Sequence, residues 1–443
     1  MTQGDADPMT AIWDVVVVGA GAAGLAAART ALELGLSAVV LEAKDRIGGR
    51  AWTDANTLGV PWERGANWLH NAESNFFTRY ADAHGFAYET IAAPARRLWA
   101  GGWAAPALQA ARDDYEAQAF RAVRATGASG RDVAAADVIP PHPRFRAAFE
   151  PWFAALVGAE PARTSALDYA RADGSGSNRR LERGFGTLVA HYGRGLPVRL
   201  TTPVTTIRWG GKDVCVATPR GGLRAHAVIV TLSTNALAAG RIRFDPDLPH
   251  AKGEALAGLP TGAANKVALA FARNVFDRDA PFFLRFADER FARFVFEMRP
   301  FGRDLAIGHL GGRWARELEA AGPKAMIELA QEALAQAFGA DVRRYLRAAA
   351  ATAWCGDPDV MGGYSCALPG QAHLRARLPE PLAGRVFFAG EACSLERYGT
   401  VHGARETGVA AARAAARRLR IAPPARARDP RDAREGARSE PDL

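Results

Sequence analysis

Cysteine is scarce in this chain: Cys215, Cys355, Cys366 and Cys393 are the only four. No two form a CxxC pair, and none stands with histidine at metal-ligand spacing, so neither a disulfide framework nor a metal site is implied. Four reduced thiols in the cytoplasm is the plain reading. Long apolar runs are missing too. No stretch of eighteen apolar residues occurs, so no membrane-spanning helix is expected. The first eight residues are polar and acidic, and the first apolar run, from Trp13, leads straight into glycines. It reads as a strand and not as the core of a secretory signal. Basic blocks are absent although the net charge is +9 and the pI about 9.7. The arginines are scattered, with no stripe and no reader motif, so neither nucleic acid nor a membrane is an expected partner.

What is present describes a large folded chain. Its 443 residues are 49% hydrophobic and 23% charged, enough for two interleaved domains. Residues 14–18 are a β-branched run expected as a buried parallel strand, 24–34 a helix stopped by Gly35, and 37–41 a second strand. Residues 76–170 read mainly as helices, broken at Pro140, Pro141 and Pro143. A polar Gly/Ser segment at 171–180 is expected to cross between domains. Residues 196–232 alternate as strands, with turns at Gly210–Gly211 and Gly221–Gly222. Further strands are expected at 263–271, 282–286, 291–298 and 386–389, and helices at 322–338 and 403–419. Beyond Ile421 the apolar period ends and a disordered tail is expected.

Gly19, Gly21 and Gly24 form a GxGxxG between the first strand and the first helix, with Ala22 and Ala23 inside it. The first glycine permits a tight turn, the second lets the backbone approach a pyrophosphate, and the third lets helix and strand pack closely. The helix N-terminus offers free N–H groups to the anion. Glu42 closes the second strand, where an acid binds a ribose hydroxyl. This is a Rossmann dinucleotide site.

The next residues narrow the cofactor. Glu42-Ala43-Lys44-Asp45-Arg46-Ile47-Gly48-Gly49-Arg50 resembles the ExxxRxGGR stretch of FAD enzymes of the amine oxidase superfamily. Glu63-Arg64-Gly65-Ala66-Asn67-Trp68-Leu69-His70 is similar to that family's E-x-G-A-x-W-x-H segment. Phe388-Ala389-Gly390-Glu391 and Gly399-Thr400-Val401-His402-Gly403-Ala404 resemble its FAGE and GTVHGA motifs, and Asn265-Lys266-Val267 its NKV segment. Trp354 precedes Tyr364 by ten residues, the family's spacing between a tryptophan beside the flavin and a tyrosine facing the substrate. The resemblance runs from about residue 12 to 418.

The resemblance implies an α/β fold in which a Rossmann-type FAD-binding domain is interleaved with an α+β substrate domain. The FAD-binding segments would be 11–75, 181–260 and 376–420; the substrate domain would take 76–180 and 261–375. FAD would be held by Gly19, Gly21, Ala22, Ala23, Gly24, Glu42, Ala43, Lys44, Arg46, Gly49, Arg50, Gly65, Ala66, Asn67, Trp68, Val204, Trp354, Gly390, Glu391, Thr400 and Val401. Lys266 would hold a water near flavin N5, Glu391 would meet the ribityl chain, and the helix opening at Gly399–Gly403 would face the flavin N1/C2 edge. Tyr364, Trp354, Thr400 and Lys266 would form the catalytic set; Trp68, His70 and Tyr364 would meet the substrate. For His70, a surface histidine is an equal alternative.

The implied activity is oxidation of an amine to an imine, with O2 reduced to hydrogen peroxide. Monoamine oxidases with a covalent flavin carry Cys immediately before the tyrosine; here it is Gly363, so non-covalent FAD is expected. The second wall of the family's aromatic cage falls at Thr400, as in the polyamine oxidase and histone demethylase branches. No chromatin-reading module is visible, which argues against the latter. L-amino-acid oxidases carry an Arg where this chain has Trp68, so α-amino acids are not expected substrates. A small amine is the expected partner, and a homodimer stays open. Two rivals remain: a desaturase-type oxidase of an apolar substrate, and a flavin-binding partner protein that catalyses nothing.

Overall fold

The computed structural model describes residues 12–91, 94–99, 101–174 and 176–419. The leader and the tail expected from residue 421 lie outside the described residues. β1 (Ile12–Val18), α1 (Ala22–Glu33) and β2 (Ala38–Leu41) form the expected βαβ unit. β1 lies parallel to β2 on one side and to the strand Gly221–Val230 on the other. Val15 and Val17 enter the core shared with α1, while Val16 and Val18 enter a second core on the opposite face. Burial on both faces is why β1 runs apolar without alternation. The sheet has eight strands. Val386–Phe388 joins it parallel to the C-terminal end of Gly221–Val230, the strand that separates it from β1.

The long helix Val401–Arg418 packs along α1. A Cβ on Gly408 would stand 2.1 Å from the Ala23 carbonyl oxygen, so glycine permits this close approach.

A second sheet of seven strands runs in the order Leu346–Ala351, Ala264–Phe271, Leu305–Gly311, Val295–Met298, Phe282–Phe286, Ala95–Trp99, Gly102–Trp103. One face is apolar: Val267, Leu269, Phe296, Leu284 and Leu310 pack with residues of the helices Gly312–Ala321 and Pro323–Phe338. On the other face, Ala268, Ala270 and Ile307 pack on Leu58 and Trp62. Strand alternation therefore puts Lys266 and His309 on the face that meets the 58–65 segment.

The stretch 76–170 departs from its helical reading. The helices Phe76–Ala83, Pro106–Ala128, Arg146–Val157 and Ala166–Arg171 are there, but so are the strands Tyr88–Thr90, Ala95–Trp99 and Gly102–Trp103. Ala95–Trp99 lies parallel to Phe282–Phe286. Its sequence hides the pattern because Arg97 is buried, its charge met by Glu116. The polar segment 171–180 also ends in a strand, Arg179–Leu181, paired with Trp68–Leu69 and Tyr88–Thr90.

Candidate active site

The glycine cradle is built as its spacing requires. Gly19 has φ of 97°, and a Cβ there would stand 2.7 Å from Thr231 Oγ1. A Cβ on Gly24 would stand 1.8 Å from the Gly19 carbonyl oxygen, and one on Gly49 3.1 Å from Gly21 Cα. Gly21 and Gly48 form a parallel bridge. α1 begins after Gly21 with no side-chain cap, so the amides of Ala22 and Ala23 have no helical acceptor. Gly19, Gly24 and Gly49 have no room for a Cβ, and the uncapped start of α1 offers main-chain amides beside them; this fits a pyrophosphate. Glu42 is buried, with Oε2 accepting the Ala20 amide (2.6 Å) and Oε1 the Lys44 amide (2.9 Å). Burial pushes its pKa up against these two donors. Val204 is buried two residues after Thr202, whose amide bonds the Glu42 carbonyl at 2.7 Å. Ala43 lies half-buried between Glu42 and Lys44.

The cations that follow Glu42 are committed within the protein. Lys44 pairs with Asp357 (2.8 Å) and Asp359 (3.1 Å). Arg46 donates to the Gly49 carbonyl at 2.9 Å and lies 4.1 Å from the Trp52 ring. Arg50 donates to the Gly363 carbonyl (2.6 Å) and to Glu391 (2.8 Å). Glu391 also accepts Ser365 Oγ at 2.7 Å and the Gly399 amide at 2.8 Å. Burial opposes its charge, but Arg50, Ser365 and Gly399 hold its pKa below the usual value. The carboxylate expected at a ribityl chain thus also ties three distant motifs together. Gly390, just before it, has φ of 141° and donates to Thr407 Oγ1.

Arg50, Trp354 and Lys266 come together around Gly65. Ala66 N bonds the Arg50 carbonyl at 2.9 Å. A Cβ on Gly65 would meet that same carbonyl at 1.8 Å and the Trp354 ring at 3.4 Å. Trp354 Nε1 donates to the Arg64 carbonyl at 2.8 Å. Lys266 Nζ donates to the carbonyls of Glu63 (3.0 Å) and Gly65 (2.6 Å), leaving one N–H without an acceptor among the described residues. Tyr364 donates its hydroxyl to the Ala155 carbonyl at 2.8 Å. Its ring lies against Gly158, and its Cβ against Gly399. Thr400 caps the helix Val401–Arg418: its hydroxyl accepts the Gly403 amide (3.0 Å) and donates to the Arg397 carbonyl (2.6 Å). Val401 opens that helix, half-buried.

Three groups that carry the electrostatics were not singled out by sequence reasoning. Glu63 is 5% exposed; its Oε1 accepts the Phe185 amide and Thr53 Oγ1, and Oε2 has no partner among the described residues. Burial pushes its pKa up and Lys266 pulls it back. Conversely, burial pulls the Lys266 pKa down and Glu63 resists. His309 faces Lys266 in register on the neighbouring strand. Its ring stacks on Trp68 at 5.4 Å, and its Nε2 lies 3.3 Å from Glu297, which also accepts Asn67 Nδ2 (2.9 Å) and pairs with Arg180. Burial and the Lys266 charge push the His309 pKa well below its ordinary value. A lone histidine in Leu305–Gly311 and a lone acid in Val295–Met298, both otherwise apolar, were the available signals.

His70 is half-buried, not a free surface group. Its Nδ1 meets Asn178 Oδ1 at 2.8 Å, its ring edge meets Trp68, and burial pulls its pKa down. Asn75 Nδ2 donates to the His70 carbonyl (2.8 Å) and to His402 Nδ1 (3.2 Å), while Asn75 Oδ1 accepts the Phe77 amide. The Asn75 amide is thereby fixed, and His402 must carry its proton on Nε2, which has no partner among the described residues.

Comparison with known proteins agrees with this geometry. The family model described as flavin containing amine oxidoreductase matches residues 22–102 and 92–416. Polyamine oxidase 4 of Oryza sativa subsp. japonica is 27% identical, over 90% of this chain and 87% of its own length. Lysine-specific histone demethylase 2 of Homo sapiens is 28% identical, over 89% of this chain and 52% of its own. Among solved structures, cyclohexylamine oxidase from Brevibacterium oxydans IH-35A superposes with a TM-score of 0.77 at 23% identity, covering 93% of this chain and all of that one. The glycine cradle, the segment around Gly65 and the match across nearly the whole described chain have one meaning: the chain is a member of the flavin-containing amine oxidoreductase family, a flavin-dependent enzyme that oxidises amines.

Proposed function

We propose that the enzyme oxidises a primary or secondary amine to an imine on non-covalently bound FAD, and that O2 takes up the electrons as hydrogen peroxide. The observation that carries the reading is that Lys266 and Trp354 both bond the main chain at Arg64–Gly65, while Arg50 bonds the adjoining Ala66 amide and also the Gly363 carbonyl next to Tyr364. When bound, the flavin supplies the two-electron acceptor for the C–H bond next to nitrogen. The protein supplies placement and charge. Tyr364 is held rigid by the Ala155 carbonyl and two glycines, so its ring serves as a fixed wall for the neutral amine. Lys266 keeps one N–H free for a water, and its charge stabilises negative charge developing nearby. Trp68, stacked on His309, closes the site with uncharged rings that offer a substrate carboxylate no cation of their own.

The substrate we favour is a small monoamine or diamine. Two relatives of this chain are polyamine oxidases, and two solved structures of the same fold are a cyclohexylamine oxidase and a putrescine oxidase. A net charge of +9 works against long polycations. Oxygen uptake measured beside peroxide formation tests the reading across monoamines, diamines and spermidine. One peroxide per O2 consumed, with a small amine fastest, is expected. Reduction of the flavin by amine without oxygen uptake would mean a different electron acceptor.

A further inference from the structure

Lys266 cannot act on charge alone unless something keeps it charged. The residue is 8% exposed, and its ammonium leans on two carbonyl oxygens, neither of which carries a full charge. A lysine in that setting loses its proton readily. The titratable groups around it among the described residues come from four strands. Glu63 lies on the strand Trp62–Glu63, whose main chain accepts the Lys266 bond. His309 lies opposite on Leu305–Gly311, and Glu297 with its partner Arg180 lies behind His309. His309 is held neutral, and the Glu297 charge is met by Arg180. Glu63 is the remaining anion.

Burial raises the Glu63 pKa to about 7, and the donors around the carboxylate together with Lys266 work against that rise. The helix Phe185–Tyr192 starts without a side-chain cap of its own; Glu63 Oε1 takes the Phe185 amide at that start and also the Thr53 hydroxyl. Both are donors that an anion accepts. The second oxygen, Oε2, is buried and has no partner among the described residues. Such an oxygen is costly to hide unless a nearby cation compensates it. Lys266 is the cation that acts on it, through the interior and not by direct ion pairing.

We propose that Glu63 is a positioning residue that keeps the Lys266 ammonium charged and aimed, so that the two work as one unit in amine oxidation; the inference rests on the role given to Lys266 above. The main chain of Glu63 fixes where Nζ sits, and its carboxylate fixes whether Nζ carries a proton. Each half of the unit therefore depends on the other.

The chain has five lysines, Lys44, Lys212, Lys252, Lys266 and Lys324, so each can be followed by NMR in FAD-loaded protein labelled with [ε-13C]lysine. Lys266→Met assigns the resonance. Glu63→Gln, which keeps the shape and removes the charge, should lower the Lys266 titration midpoint by about one pH unit or more. The basic limb of the amine-oxidation rate should move to lower pH by the same amount. An unchanged midpoint overturns the inference while leaving the catalytic reading of Lys266 standing. Wild-type rates in Lys266→Met would sink that reading and leave the charge coupling measurable. If Glu63→Gln does not fold, the coupling is read from the other side. Lys266→Met should leave Glu63 protonated near neutral pH, seen as a new protonated-carboxyl band in infrared difference spectra. Absence of that band contradicts the proposal equally.

Discussion

Lys266 and His309 stand opposite each other on neighbouring antiparallel strands, and the His309 ring stacks 5.4 Å from Trp68. One polar face of the seven-stranded sheet thus presents a cation beside a neutral imidazole, directly under the segment that runs from Glu63 to Trp68. Burial first, and the Lys266 charge with it, keeps the imidazole neutral. This gives the site a single buried positive centre, placed by backbone carbonyls and not by a flexible partner.

Lys266→Met keeps the length of the side chain and removes its charge. FAD binding should persist, and turnover should fall roughly 10²-fold or more, on the order of 3 kcal/mol, as for other preorganised electrostatic groups. Stopped-flow measurement of flavin reduction and reoxidation separates the step affected. Wild-type rates in both steps would reduce Lys266 to a structural lysine.

Glu42→Ala tests the dinucleotide end. Its carboxylate holds the Ala20 and Lys44 amides and stands where a ribose would lie. The variant should fold, because its strand is otherwise apolar and buried, yet purify mostly as colourless apoprotein. Full FAD occupancy, read from the flavin absorbance per protein, would show the cradle is not the cofactor site.

The flavin should be released by acid precipitation. Gly363 stands where a covalent enzyme of the family carries cysteine, and a Cβ there would come within 2.6 Å of Ala264 Cβ. Colour remaining with the precipitated protein would contradict non-covalent binding.

Acid should act on the fold through His402. Burial pulls its pKa down to about 4, below the ordinary 6.5. Between these values the unfolded chain binds the extra proton, so this contribution to stability is present above 6.5 and is lost as pH falls toward 4. His402→Gln lacks that loss, so its Tm relative to wild type should improve steadily as pH drops through this window. A Tm difference that stays constant with pH would show that His402 does not titrate there.

Much of this architecture was legible in the sequence because it is local. The strand–glycine–helix unit needs only residues 12–41, and the NKV, FAGE and GTVHGA stretches are contiguous. What escaped was non-local. Glu63 was in plain view within a recognised segment, but its partner lies 203 residues away across a sheet. His309 gains meaning only from strand register. Ala95–Trp99 was hidden because its buried arginine is neutralised by a helix glutamate, so a charged residue occupies an interior position that periodicity assigns to solvent. His70 was undecided because exposure cannot be read from a histidine's own neighbours in sequence; Asn178 and Trp68 settle that it is half-buried.

Flavin bound in this protein should take electrons from amines at the site proposed to include Trp68, Trp354 and Tyr364. The most direct measurement is anaerobic mixing of the purified yellow protein with a panel of amines and the corresponding L-amino acids, followed by absorbance. At least one small amine should bleach the flavin fully, and its α-carboxylated counterpart should not. Failure of every amine to bleach it would rule out amine oxidation at this site, and faster bleaching by the amino acids would overturn the exclusion of carboxylates by Trp68.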